Sequence, residues 1–274
     1  MNWELMSGEE RNLAYNNTAH VGAEFVALEN KRLEVSSGAL RSQYSQHLDL
    51  IYKNSERTKW DLYPGFDPNA PCLVHIHGGY WQRGSKELFA CVAEGALARG
   101  WSAALPGYTL APQVSLTRIT EELRTAFDWL SANAARHGIA GPVIVTGWSA
   151  GGHLAAYLLD HPRIAAGLAI SGVYDLAHLQ GSPHVNDKVM LTDVEVEFLS
   201  PKRLSPANKA FSIAYGTNEL PAMIASSRDY HAYRAEKHLG GQLVPICNAN
   251  HYTVLEGLRS PNSLLMRQIA DLLV

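Results

Sequence analysis

Short apolar runs alternate with longer amphipathic stretches along most of the chain. Strand-like runs fall at residues 72–77, 101–105, 143–145, 164–170, 211–215 and 243–247, preceded by weaker ones at 47–52 and 59–63. Helix-period segments separate them at residues 85–99, 115–137, 154–159, 223–238 and 262–273. In the second of these, Leu116, Ile119, Leu123, Phe127 and Leu130 mark one apolar face, and Gly138 marks the stop. Strand alternating with helix over this length predicts an α/β fold. Its sheet is expected to be mostly parallel and doubly wound, with helices on both faces and ligands at the strand C-termini.

Two stretches break the alternation. Residues 1–45 are polar and helix-favouring, with Val21, Phe25 and Leu28 at helical spacing, and read as a helical N-terminal arm or cap of one or two helices. The main domain then covers residues 46–274, forming one structural unit with the arm. Within it, residues 176–208 are irregular, with one short helical piece near 194–199, and read as a cap-like excursion over the site.

Composition narrows the class. The 274 residues are 46% hydrophobic with a net charge of −3, ample for one large core and without the basic stripe that nucleic acid demands. No apolar run reaches membrane-spanning length, and Met1–Leu5 lack the character of a signal peptide, so a cytoplasmic protein acting on a small molecule is expected. Cys72, Cys91 and Cys247 cannot all pair and lie in apolar runs, so three buried free thiols are expected. None has metal-ligand spacing, and no metal or organic cofactor is expected. A homodimer is left open.

The chemistry gathers at strand ends. Gly147-Trp148-Ser149-Ala150-Gly151 joins a strand to a helix, the context in which G-x-S-x-G is a nucleophile elbow. Ser149 is the candidate nucleophile. A serine hydroxyl needs a base, and the base needs an orienting acid. His251, after the last strand, is the candidate base, and Glu219, after the strand before it, the candidate acid, with Asp175 and Asp229 weaker. His75, His77, His137 and His153 read as structural. An oxyanion needs waiting donors, and the N–H groups of Gly79, Tyr80 and Ala150 are the candidates. Trp81, Tyr108, Trp148, Tyr174 and Tyr252 flank these positions as a candidate aromatic pocket, with Arg83, Asn186 and Asp187 as candidate readers of polar ligand groups.

His77-Gly78-Gly79-Tyr80-Trp81 resembles the HGGYW oxyanion motif of kynurenine formamidases (arylformamidases), a branch of the α/β hydrolases. Residues 106–112, 149–154, 171–176 and 251–256 and the arm around Glu9-Glu10-Arg11 and Tyr15-Asn16-Asn17 are also similar to that family. The resemblance implies an α/β-hydrolase fold and hydrolysis of an N-formyl aromatic amide or another small amide or ester through an acyl-enzyme. Three positions depart from the family's pattern: Trp148 stands where histidine is frequent, Glu219 where aspartate is usual, and Ala222 where glutamate is common. A carboxylesterase or thioesterase of the same fold is the alternative, and a non-catalytic binding module a more distant one.

Overall fold

The computed structural model describes residues 6–273; Met1–Leu5, read above for a signal peptide, lie outside the described residues. Eight strands form one sheet in the order β1-β2-β4-β3-β5-β6-β7-β8. They are β1 (Leu50–Ile51), β2 (Lys59–Tyr63), β3 (Cys72–Ile76), β4 (Ser102–Pro106), β5 (Val143–Trp148), β6 (Ile164–Ile170), β7 (Phe211–Gly216) and β8 (Leu243–Ile246). Strand β2 runs antiparallel to both β1 and β4, and β3 to β8 pair in parallel. The mostly parallel sheet expected from the alternation is therefore present.

Side-chain alternation explains the two layers. Val143 and Val145 of β5 join one core cluster while Ile144 joins the other, because successive strand residues point to opposite faces. The first face is covered by α5 (Leu116–Asn133), α6 (Ala150–Tyr157) and α10 (Pro221–Glu236). The second is covered by α3 (Ala23–Ser42), α4 (Glu94–Ala98) and α11 (Leu264–Asp271). Helix α5 follows its pattern closely: Ser115 caps it by accepting from Arg118 N, and its five periodic apolar residues are all fully buried. A 3-10 turn extends it to His137, and Gly138 in the left-handed region ends it.

Several elements differ from the expectation. Among its described residues the arm holds three helices rather than one or two, adding α1 (Gly8–Tyr15) and α2 (Asn17–Val21) before α3. Residues 85–99 are not one helix. Lys86 turns inward to Asp61 (2.6 Å) and Asp49 (2.7 Å), residues 85–89 run as turns, and regular structure begins at Ala90. The stretch 176–208 holds α7 (Ala177–Gln180), α8 (Pro183–Val189) and α9 (Asp193–Leu199), of which α9 alone was signalled by periodicity. Cys72 and Cys91 are buried, but Cys247 is exposed, because it lies just beyond β8 at the sheet edge. No helix among the described residues is long and apolar enough to cross a membrane.

Candidate active site

The elbow is built as its glycines require. Ser149 adopts φ 56° and ψ −119° between β5 and α6, a conformation costly for a residue with a side chain and held only where the surroundings insist. Here Ser149 N donates to Ile170 O and His153 N to Ser149 O. A Cβ at Gly147 would run into the Gly151 carbonyl, and one at Gly151 into that of Ile76, so strand and helix pass too closely for any larger residue.

Glu219 reaches His251 by folding back over its own turn. Its Oε1 accepts from Gly216 N (2.6 Å) and Ser171 Oγ (2.5 Å), leaving Oε2 at 2.8 Å from His251 Nδ1. The extra methylene relative to aspartate is absorbed in that curl, three residues beyond the end of β7. The Glu219 side chain is fully buried and the His251 side chain nearly so. A carboxylate only accepts, so the proton on Nδ1 points at Glu219 and Nε2 carries the free lone pair. Ser149 and His251 line one cavity of about 180 Å³, and no hydrogen bond joins their side chains. Apo catalytic contacts of this kind often close only with substrate.

The chain turns sharply after β3, with Gly79 at φ 110°, Tyr80 at 51° and Trp81 at 58°. Runs of such residues point successive N–H groups into a concavity. Among the described residues, the N–H groups of Gly79, Tyr80 and Ala150 donate to no protein acceptor. A Cβ on Gly78 would lie 2.5 Å from Trp148 O and 3.1 Å from Ser149 Cβ, so this loop rests directly on the elbow.

Of the five aromatics expected in the pocket, Trp148 and Tyr252 line the cavity, beside Gly78, Gly79 and Tyr80. Trp81, Tyr108 and Tyr174 do not. Trp81 meets His153 edge-on at 5.1 Å, Tyr108 stacks on His77 at 4.3 Å, and Tyr174 stacks on Tyr230 at 4.2 Å. All three are buried in the core cluster between the sheet and its helices. Arg83 lines the cavity, is exposed, and forms no ion pair among the described residues. Asn186 and Asp187 are absent from the lining; Asn186 instead closes the end of α8, donating to Gln180 O and accepting from Leu191 N. No residue of 176–208 lines the cavity, whose roof comes from the arm: Asn17, Val26 and Asn30. Phe89, in the stretch read as helix, supplies part of its wall.

Three buried histidines, His75, His77 and His153, are held neutral. Burial pushes His75 down to about 3 and His77 and His153 down to about 4. His77 Nδ1 lies 2.8 Å from Gly78 O, and His153 Nε2 2.7 Å from Leu199 O, so both brace loops.

Residues 61–198, half of the chain, match the family model described as BD-FAE. The chain belongs to the BD-FAE family. It is homologous to kynurenine formamidases from Danio rerio (25% identical over 300 residues, covering 99% of this chain and 98% of the relative) and Salmo salar (28% over 228 residues, 77% and 76%). Among solved structures it is similar to a candidate thioesterase from Silicibacter sp. TM1040 (29% identity, TM-score 0.82, covering 95% of this chain and 99% of that one). Esterase LipW from Mycobacterium marinum shares the fold (18% identity, TM-score 0.71, 90% and 87%). This BD-FAE chain is thus an α/β hydrolase, an enzyme acting on amide or ester bonds.

Proposed function

We propose that the enzyme deformylates N-formyl aromatic amines of the N-formylkynurenine type, with Ser149, His251 and Glu219 as its catalytic triad. The observation that carries the reading is the fixed Glu219–His251 pair, 2.8 Å apart, opening onto the same cavity as the strained Ser149. His251 Nε2 takes the Ser149 proton as Oγ bonds to the formyl carbon, and the carbonyl electron pair moves to oxygen. The N–H groups of Gly79, Tyr80 and Ala150 hold that oxyanion. Collapse restores the carbonyl and breaks the C–N bond, and His251 returns its proton to the departing amine. Water, deprotonated by His251, then attacks the formyl ester; formate leaves and Ser149 regains its proton. Glu219 steadies the imidazolium throughout.

The cavity supports a small acyl group and an aromatic amine. It is walled by Leu88, Phe89, Trp148 and Tyr252, and among the described residues no carboxylate lines it and none pairs with Arg83 at its edge. That pattern suits an aromatic substrate carrying a carboxylate. An aryl phosphonate, which captures activated serines, is expected to add once to the wild type and not to Ser149→Ala, read by intact mass. In parallel, N-formylkynurenine should yield formate and free amine in equal amounts. Labelling at another residue, or no formate, would overturn the proposal.

A further inference from the structure

The arm brings two amides to the cavity that the triad does not use, an exposed one at Asn30 and a buried one at Asn17. Asn17 is 4% exposed, lines the cavity with Ser149 and His251, and its Oδ1 has no hydrogen-bond partner. The orientation of the amide follows from its neighbour. Tyr80 has one hydroxyl proton, and it donates to Tyr15 O at 2.5 Å. Toward Asn17, at 3.2 Å, the Tyr80 oxygen can therefore only accept, so the nitrogen of the amide faces it and the oxygen is left free. Of the side chains lining the cavity, Asn17 alone has a buried polar atom without a partner among the described residues.

This acceptor is held firmly. Asn16 caps α2 by accepting from Ala19 N at 3.0 Å. Thr18 Oγ1 lies 3.0 Å from the hydroxyl of Tyr252, next to the base, and His20 Nε2 lies 3.0 Å from Asn218 O, next to the acid. Helix α2 is thus tied to the oxyanion loop, the base loop and the acid loop together. A preorganised acceptor of this kind binds a donor without reorganisation.

An amide and an ester differ at one atom pair: the amide offers N–H where the ester offers a bare oxygen. A buried donor without an acceptor is costly, as is a buried acceptor without a donor. We infer that Asn17 is the residue by which this enzyme prefers amides over esters, its Oδ1 accepting the N–H of the scissile formamide. Sites built around a substrate N–H discriminate against the analogue that lacks it. The inference rests on the formamidase reading above and deepens it.

The test is a matched pair, formanilide and phenyl formate, which share acyl and aryl groups and differ in N–H against O. Wild-type enzyme is compared with Asn17→Ala and Asn17→Asp, with melting temperature recorded for each. Asn17→Ala should lower kcat/KM for formanilide at least roughly tenfold more than for phenyl formate. Asn17→Asp, which keeps an acceptor oxygen at that point, should retain more of the amide preference. An equal fall on both substrates for Asn17→Ala would overturn the inference and leave the deformylase reading standing. Wild type that cleaves phenyl formate but not formanilide would overturn both.

Discussion

The indole nitrogen of Trp148 donates to the backbone carbonyl of His251 at 2.7 Å, and the two rings lie 5.0 Å apart. The residue before the proposed nucleophile thus fixes the backbone of the proposed base. Here the departure from the family's frequent histidine has a structural role. Replacing Trp148 with Phe keeps the ring but strands a buried carbonyl, a loss of about 1–3 kcal/mol. Trp148→Phe is expected to melt several degrees lower and to lose roughly tenfold in kcat, measured on the same preparation. Unchanged kcat would show that His251 needs no such anchor.

Glu219 is held by three hydrogen bonds, and its replacements should separate charge from reach. Glu219→Gln keeps the length but removes the charge that steadies the imidazolium and fixes its tautomer, and should cost on the order of 10³–10⁴ in kcat. Glu219→Asp keeps the charge but cannot span from Gly216 N to His251, and should cost less, roughly tenfold to a hundredfold. Steady-state rates for the two variants decide it; near-normal activity in Glu219→Gln would move the acid elsewhere.

Acid should destabilise the fold through buried imidazoles. Burial holds His75 down to about 3 and His77 and His153 down to about 4, all below the ordinary value. Between about pH 6.5 and 4 the unfolded chain binds protons that the folded chain refuses. The stability these neutral groups contribute is therefore complete above about pH 6.5 and is lost as pH falls toward 4. The melting temperature should drop through that window, and His153→Gln should flatten the drop. An unaltered pH slope in His153→Gln would contradict this.

Arg83 should matter for charged substrates alone. Arg83→Gln is expected to raise KM for N-formylkynurenine several-fold, with kcat nearly unchanged and formanilide unaffected. The effect should shrink in high salt, since Arg83 is exposed. An equal rise for both substrates would point to shape rather than charge.

That Ser149, Glu219 and His251 would gather at strand C-termini was legible in the chain, because each follows a strand. The 2.8 Å contact between Glu219 and His251 needed only that placement. Asn17, Val26 and Asn30 were not legible as cavity residues, because the packing of a polar arm across the site is tertiary and leaves no local periodicity. Trp81, Tyr108 and Tyr174 misled for the opposite reason. Adjacency to a catalytic residue in sequence says nothing of the side a ring takes, and here the rings turned into the core. Residues 85–89 misled through helical spacing that the inward turn of Lys86 overrides.

Deformylation is expected to depend on Ser149. Steady-state hydrolysis of N-formylkynurenine beside p-nitrophenyl acetate, for wild type and a Ser149→Ala variant of unchanged melting temperature, tests it most directly. The expected result is rapid deformylation by the wild type, reduced at least about 10⁴-fold in the variant. Ester cleavage that depends on Ser149 without any deformylation would contradict the substrate, and deformylation that survives Ser149→Ala would contradict the mechanism.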